Sequence, residues 1–389
     1  MGNLTLSSST MHTLDSWLCN LNSLEYLHLS QNNLRGPLPQ CLWNISNNLE
    51  FVDLSRNQFE GTIPTHFAKG NHWLHYINLK GNHLEGSLPR GLVNCSFLTV
   101  LDVGNNKLVD SFPHWLDVLP YLGVLILRSN QFYGIIRTSK TRSPFQKLHI
   151  FDISHNEFSG ALPRYYFENF EEIRNASVAT DVIMFPYYDY IDLVLKWREF
   201  PVVNFSIFTL IDLSHNHFHG EIPKALGSLH YIRFLNLSHN QLAGSIPLSL
   251  GNLSILEVLD LSSNQLVGKI PEQLAKSLTF LAVLNLSYNH LVGPIPHGPQ
   301  FNTFNNDSYL GNTALCGFPL TLQCQGSGPP PPQAVPASPS GGEDSENFGW
   351  RSVVVGYCCG MPFGFVVGYL AFLYGRPRWF VRFVLGDKK

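Results

Sequence analysis

The stretch Leu24-Glu25-Tyr26-Leu27-His28-Leu29-Ser30-Gln31-Asn32-Asn33-Leu34 decides the fold of this 389-residue chain. Its pattern, L-x-x-L-x-L-x-x-N-x-L/F, recurs ten times along the sequence. The asparagine of each copy is Asn32, Asn57, Asn82, Asn106, Asn130, Asn156, Asn216, Asn240, Asn264 and Asn289. Most successive copies are 24 to 26 residues apart, and a fixed period of this length indicates stacked coils rather than separate globular domains. We therefore predict an α/β-type repeat solenoid.

Within one copy, alternate residues of the short strand are predicted to point to opposite sides. Leu27 and Leu29 point into the coil, whereas Tyr26 and His28 point outward on the concave face. The asparagine turns inward where the strand ends, and its amide satisfies backbone groups in the bend. A Gly-x-Ile/Leu-Pro motif follows most copies, as in Gly61-Thr62-Ile63-Pro64, because glycine permits the tight turn and proline rules out an ordinary ladder strand. Such a leucine-rich-repeat horseshoe is a recognition surface.

Three further segments resemble one class of leucine-rich-repeat protein. They are Leu101-Asp102-Val103-Gly104-Asn105-Asn106, Asp110-Ser111-Phe112-Pro113 and Leu127-Arg128-Ser129-Asn130. Together with the L-x-G-x-I-P extension, they resemble plant receptor-like proteins, which are membrane-anchored relatives of receptor kinases that lack the kinase. The resemblance covers nearly the whole chain. It implies a plant-type leucine-rich-repeat horseshoe with an island insertion, followed by one C-terminal transmembrane helix.

The spacing of 60 residues between Asn156 and Asn216 interrupts the repeats. It holds one ordinary repeat and an insertion, which the resemblance identifies as the island that precedes the final four repeats. We therefore assign leucine-rich repeats to residues 1–163, with the first repeat incomplete, the island to 164–207 and four repeats to 208–296.

After the last repeat, the resemblance implies a C-terminal cap at 297–325 with a disulfide between Cys316 and Cys324. Residues 326–352 form a Pro/Gly-rich and acidic linker, which is either a solvated spacer or, by the resemblance, a juxtamembrane segment that favours a basic partner. Cys19 and Cys41 lie 22 residues apart on successive coils and could form a second disulfide.

Residues 353–374 carry no charge and are long enough to span a hydrocarbon core of about 30 Å. The tail at 375–389 is basic, which places the C-terminus in the cytoplasm and the repeats outside the cell. A strip of glycines recurs every fourth residue and predicts close pairing with another membrane helix, although Pro362 could weaken it. The strip consists of Gly356, Gly360, Gly364 and Gly368. The resemblance implies that the paired helix belongs to a leucine-rich-repeat receptor kinase.

Met1–Thr10 lacks the basic and apolar regions of a signal peptide. Two interpretations stay open: a truncated N-terminus, or a short protein that uses its C-terminal span as an insertion signal. Sequons for N-glycosylation indicate an extracellular history. They are Asn3, Asn44, Asn94, Asn175, Asn204, Asn236, Asn252, Asn285 and Asn306. A glycan at Asn236 or Asn285 would block the concave face.

Our ligand-contact candidates are outward residues that depart from the regular Asp/Asn pattern of the concave face, together with aromatic and basic residues of the island. They are Tyr26, His28, Arg56, Lys80, Ile126, Arg128, His155, Tyr187, Tyr188, Tyr190, Lys196 and Arg198. Loops held on a rigid scaffold often carry function, which favours the island residues.

Other classes of function lack their sequence signatures. No phosphate loop, nucleophile elbow or paired-carboxylate arrangement predicts an enzyme, and no cofactor is expected. His215, His217 and His219 alternate in a repeat bend, where a solvated surface is favoured over a metal site. The formal net charge is −3 and there is no basic stripe, so nucleic acid is not an expected partner.

We therefore expect a single-pass plasma-membrane receptor that binds an extracellular peptide, protein or glycan and signals through a partner receptor kinase. The resemblance implies a role in plant defence. The alternatives are a developmental co-receptor for peptide hormones, a secreted-type repeat inhibitor of microbial wall-degrading enzymes and a non-functional truncated remnant. Only the identity of the ligand separates the first alternative from the defence receptor.

Overall fold

The computed structural model describes residues 2–5, 13–14, 16–67, 73–175, 190–195, 198–203 and 208–324. Each repeat adds one short strand to a parallel sheet of eleven strands, which we call the inner sheet. Its strands, in order, are Gly2–Thr5, Leu24–His28, Phe51–Asp53, Tyr76–Asn78, Val100–Asp102, Val124–Ile126, Ile150–Asp152, Leu210–Asp212, Phe234–Asn236, Val258–Asp260 and Val283–Asn285. Stacked repeats with parallel strands are the solenoid that the period predicts.

A second layer of parallel strands follows the bend of each repeat. One outer sheet contains Arg35–Pro37, Gln58–Thr62, His83–Gly86 and Lys107–Leu108. The other contains Tyr133–Ile135, Glu157–Gly160, His217–Glu221, Gln241–Ser245, Gln265–Gly268, His290–Pro294 and Ala314–Cys316. The glycine of the L-x-G motif has positive φ in these strands, for example +76° at Gly244, which explains why the motif requires glycine.

Short helices complete the repeats. The α-helices are Arg164–Asn169, Glu171–Asn175 and Glu272–Ser277. The 3-10 helices are Ser16–Asn20, Leu42–Asn44, Arg90–Asn94, His114–Val118, Lys224–Ser228, Leu248–Asn252, Phe301–Thr303 and Asn306–Tyr309. Several begin directly after the proline of the G-x-I-P motif, because proline has the φ of a helix start and lacks an N–H that the helix would leave unsatisfied.

From Asn57 onward, the asparagine of each repeat joins its own turn of the solenoid to the preceding turn. At Asn57, Nδ2 donates to the Leu29 carbonyl (2.8 Å) and the Leu54 carbonyl (3.1 Å), and Oδ1 accepts from the Leu34 N–H (3.1 Å). The same arrangement recurs at each later repeat asparagine and once more at Asn312 in the C-terminal cap. The cap therefore continues the asparagine ladder beyond the last repeat that the sequence pattern identifies.

The cap also closes the hydrophobic core. Phe301, Tyr309 and Leu315 belong to the continuous core cluster that runs through the repeats. Cys316 and Cys324 form a disulfide within the cap, and Cys19 and Cys41 form another between two successive N-terminal repeats. Each bond restricts the unfolded chain.

The first residues of the predicted island, 164–207, pack in the solenoid core. Tyr166, Phe167, Phe170 and Ile173 are buried there, because the two helices from residue 164 to 175 fill the place of the short helix in other repeats. The boundary of the island at residue 164 stays a prediction.

Candidate ligand-binding face

An apolar row runs along the outward side of the inner sheet. One residue of each strand from Leu24–His28 onward contributes, and the strand register aligns them as neighbours. The row consists of Tyr26, Phe51, Tyr76, Val100, Val124, Ile150, Leu210, Phe234, Val258 and Val283. Of this row, only Tyr26 was a candidate from the sequence, although aromatic and β-branched residues recur at the same position of most repeats.

A polar row lies beside it, two residues further along each strand. The row contains Asp53, Asn78, Asp102, Asp152, Asp212, Asn236, Asp260 and Asn285. Most of these side chains close a turn by accepting the N–H of the residue two positions on, as Asp102 Oδ1 does from Gly104 (2.9 Å). This regularity supports a structural role for the row.

Burial of the polar row changes its acidity. Burial, opposed mainly by Lys80, raises the pKa of Asp102 to about 7. Burial and the nearby Asp152 carboxylate raise the pKa of Asp212 to about 7, against the hydrogen bonds from Ser214. Burial therefore favours the neutral form of both carboxyls.

The island places an antiparallel hairpin, Tyr190–Leu195 and Arg198–Val203, against this face. We call it the island hairpin. Leu193 and Val202 are 1% and 6% exposed and belong to the same cluster as the apolar row. Asp192 Oδ2 accepts from Arg56 Nη2 (2.7 Å) and lies 3.7 Å from Lys80 Nζ. Apolar packing and ion pairs together hold the island hairpin on the inner sheet.

Three of the ligand-contact candidates, Arg56, Lys80 and Ile126, lie beside the island hairpin. Lys80 and Ile126 are only 5% and 4% exposed, which the sequence analysis did not anticipate. Ile126 packs in the cluster that contains Leu193 and Val202, and Lys80 faces Asp192, as Arg56 does. Arg56 also faces the island hairpin, but its side chain remains 41% exposed to solvent.

The remaining candidates before the island lie along the same outward face. Tyr26 donates its hydroxyl hydrogen to Glu50 (2.8 Å), and burial together with this bond raises the pKa of Tyr26 to about 12. His28 lies 3.5 Å from the Asp53 carboxylate, and Arg128 lies 3.7 Å from that of Asp152. Tyr190 and Arg198 begin the two hairpin strands. Tyr187, Tyr188 and Lys196 lie outside the described residues.

An open pocket lies on the inner sheet around the repeats that follow the island. It combines apolar, acidic and basic side chains, among them Arg128, His155, Asp212, His215, Phe234, Asn236, Val258, Asp260 and Val283. Only Arg128 and His155 were candidates from the sequence. Apart from His215, the other named residues belong to the apolar row or the polar row, whose regular recurrence gives no residue of either row a distinct sequence signal.

Three histidines stack at the edge of this pocket. The ring centroids of His155 and His215 are 4.0 Å apart, as are those of His215 and His239. Burial, followed by the charges of His155, His239 and Arg128, lowers the pKa of His215 to about 4. His217 instead pairs with Glu157 (2.6 Å). In the part of the chain that the structure covers, no group of His, Cys, Asp or Glu could hold a metal ion.

The sequon asparagines differ in their exposure and in the hydrogen bonds of their side-chain amides. Asn3, Asn44, Asn175, Asn252 and Asn306 are exposed. Asn236 and Asn285 are half-buried, and their Nδ2 atoms donate to Asp212 (3.2 Å) and Asp260 (3.4 Å). Asn204 lies outside the described residues.

No helix in the described ranges is long and apolar enough to cross a membrane. The predicted span at 353–374, with its glycine strip, lies outside those ranges, as do the linker and the tail.

Comparison with known proteins agrees with this architecture. Residues 23–45, 48–69, 73–95, 208–229, 231–253 and 256–277 match the family described as Leucine Rich Repeat. Receptor-like protein 32 of Arabidopsis thaliana is 42% identical over 377 residues, which is 95% of this chain and 42% of that protein. Receptor like protein 22 of the same plant is 46% identical over 308 residues, which is 75% of this chain and 38% of that protein.

The chain belongs to the plant leucine-rich-repeat receptor-like proteins. It spans about two-fifths of the length of these receptor-like proteins. A solved structure with the same fold is the Arabidopsis receptor kinase HAESA in complex with the peptide hormone IDA and the co-receptor SERK1. It aligns with a TM-score of 0.61 and 30% identity, over 84% of this receptor-like protein and 51% of HAESA. PEPR1 in the PEPR1–AtPEP1 complex aligns with a TM-score of 0.57 and 26% identity, over 73% and 38% of the two chains.

Proposed function

We propose that this receptor-like protein recognises an extracellular peptide or protein segment on its inner sheet, beside the island hairpin. The observation that carries the proposal is the open pocket, where an apolar wall of Phe234, Val258 and Val283 faces charged residues. Apolar surface with a few placed polar groups is typical of ligand sites. The similarity to HAESA, whose structure contains a peptide hormone, supports the same class of ligand here.

Peptide selection tests this proposal directly. A displayed library of random peptides is selected against the full chain, and enriched peptides are measured against Val283→Arg and Val267→Arg. Val283 lines the pocket, whereas Val267 is exposed on the outer sheet, so the pair adds the same side chain at two places. We expect at least about tenfold weaker binding for Val283→Arg only, because the new side chain fills the pocket. Equal binding by both variants would refute the proposed site.

We further propose that the chain is a single-pass plasma-membrane protein that signals through a partner receptor kinase and carries out no catalysis itself. The glycine strip at 356–368 supports helix pairing, because small residues let membrane helices approach closely. Gly360→Leu with Gly364→Leu should abolish co-purification with the kinase. Val354→Leu with Val366→Leu introduces the same two leucines away from the strip and should leave co-purification intact. Loss in both variants, or in neither, argues against pairing through the strip.

Defence recognition is the role that we propose for this signalling. A developmental co-receptor for peptide hormones is the second candidate, and the hormone in the HAESA structure favours it. Challenge of plants that overexpress the chain distinguishes them: a defence receptor alters resistance to microbes, whereas a developmental co-receptor alters growth without microbes.

A further inference from the structure

A loop on the outer side of the repeats carries an unusual concentration of positive charge. Residues 137–142, Arg-Thr-Ser-Lys-Thr-Arg, follow the outer strand Tyr133–Ile135, and we call them the basic loop. Arg137, Lys140 and Arg142 are all exposed, and the loop contains no acidic residue. This site is separate from the inner sheet and was not recognised in the sequence analysis.

The cations of the basic loop are not used within the fold. Across the ranges that the structure describes, Arg137, Lys140 and Arg142 form no ion pair. Two neighbouring cations show the contrast: Lys147 pairs with Glu172 (3.4 Å) and Arg164 with Glu168 (2.7 Å). Within the described ranges, the three charges of the basic loop are therefore available to a partner.

The basic loop is nevertheless anchored. Thr141 donates its hydroxyl hydrogen to the buried Asp117 (2.7 Å), and its backbone carbonyl accepts from the Tyr165 hydroxyl (2.9 Å). The Thr141 N–H donates to Ser139 Oγ (2.8 Å). Because the backbone of the basic loop is already ordered, binding a partner costs less loss of backbone conformational entropy.

The strand before the basic loop exposes apolar surface. Tyr133 and Ile135 are 53% and 57% exposed. A tyrosine ring combines an apolar face with a polar edge, which suits a flat molecule that carries both kinds of surface. Sugar rings have this character.

We propose that the basic loop and Tyr133 bind an acidic polysaccharide, with uronate carboxylates pairing with Arg137, Lys140 and Arg142. The Cα atoms of Arg137 and Arg142 are at most about 18 Å apart, since five extended residues span no more. A polymer with a charge on each sugar can therefore meet all three cations together. One exposed ion pair strengthens binding only about 1.4- to 5-fold, but three on one polymer multiply to about 3- to 150-fold. A single anion would not gain this advantage.

The test uses the full chain and polygalacturonate immobilised on a sensor surface. Its methyl-esterified form, which has the same sugars without charge, is the matched ligand. We expect binding to polygalacturonate that weakens with added salt, and at least about tenfold weaker binding to the ester. Equal binding to both polymers would overturn the proposal without requiring any variant to fold.

Two variants with the same loss of charge locate the site. Arg137→Gln/Lys140→Gln/Arg142→Gln changes the basic loop, and Arg90→Gln/Lys224→Gln/Lys269→Gln changes exposed cations on three other repeats. We expect at least about tenfold weaker binding for the first variant and less than about twofold for the second. Equal losses would mean that the overall charge, not the basic loop, attracts the polymer. Stronger binding to polyglutamate than to polygalacturonate would identify an acidic protein as the partner and refute the assignment to sugar.

Discussion

Asp192→Asn should loosen the island hairpin while leaving the solenoid folded. Asp192 is the acceptor for Arg56, whose side chain is 41% exposed, and it lies 3.7 Å from the buried Lys80. An exposed ion pair contributes about 0.2–1 kcal/mol, whereas removing one partner of a buried pair costs about 3–5 kcal/mol. The Asp192 side chain is itself 19% exposed, so we expect an intermediate loss of about 2 kcal/mol in the free energy of hairpin opening.

Hydrogen exchange of the hairpin amides measures this opening. A loss of about 2 kcal/mol corresponds to about 30-fold faster exchange, because each 1.4 kcal/mol is a factor of ten. Arg56→Gln removes only the exposed pair and should accelerate exchange less than about fivefold. Leu193 and Val202 remain packed in both variants, so inner-sheet amides remote from the hairpin should exchange at the original rate.

Glu157→Gln is the matched control, because it breaks an exposed pair with His217 far along the chain from the hairpin. Hairpin exchange in Asp192→Asn no faster than in this control would refute the assignment of Asp192 as an anchor. A general acceleration throughout the inner sheet would instead show that the ion pair supports the solenoid and not the hairpin.

Three further expectations follow from the described contacts. Asn264→Ala removes donors to Leu237 and Leu261 and the acceptor for the Leu242 N–H, so urea denaturation should show a loss of about 2–4 kcal/mol. His215→Asn should flatten the loss of thermal stability on acidification from pH 6.5 to 4.5. The lowered pKa of His215 means that the unfolded chain binds this proton first, so native stability falls with pH between 6.5 and about 4. Mass spectrometry of the chain expressed in plant cells should find glycan at Asn252 and little at Asn236, whose amide donates to Asp212.

Each expectation has its own control. Gln265→Ala changes an exposed neighbour of Asn264 and should lower the free energy of unfolding by less than about 0.5 kcal/mol. A comparable loss in both variants would argue against a stabilising role of the asparagine ladder. His297→Asn removes an exposed histidine and should keep the original pH dependence, whereas an unchanged slope in His215→Asn would count against the stacked site. High glycan occupancy at Asn236 would mean that its contact with Asp212 does not protect the amide.

The fold was predictable because its information is local. Leu27 and Leu29 are both fully buried, as the alternation of the strand predicts, and Asn57 bonds the turn in which it lies. Each repeat carries its own copy of these signals, so a wrong prediction for one repeat does not affect the prediction for the others.

The relation between the island and the inner sheet was not predictable in this way. Arg56 and Asp192 are 136 residues apart in sequence, and no periodic pattern links them. Lys80 and Ile126 therefore read as outward residues, although the island hairpin covers the face on which they lie. Phe167 and Phe170 depart from the leucine pattern and yet lie in the core, so the sequence did not indicate that they are buried.

The stacking of repeats continues directly across the island. The Phe158 N–H donates to Asn216 Oδ1 (3.0 Å), and Asn216 Nδ2 donates to the Ile153 carbonyl (3.1 Å), as between consecutive repeats elsewhere. The insertion therefore leaves the solenoid from one repeat and returns to the next without altering their contact. Since doubling the length of a flexible loop costs only about 0.6 kcal/mol, insertions of other lengths fit the same position. The island can therefore change in length and sequence while the contact between its two flanking repeats stays the same.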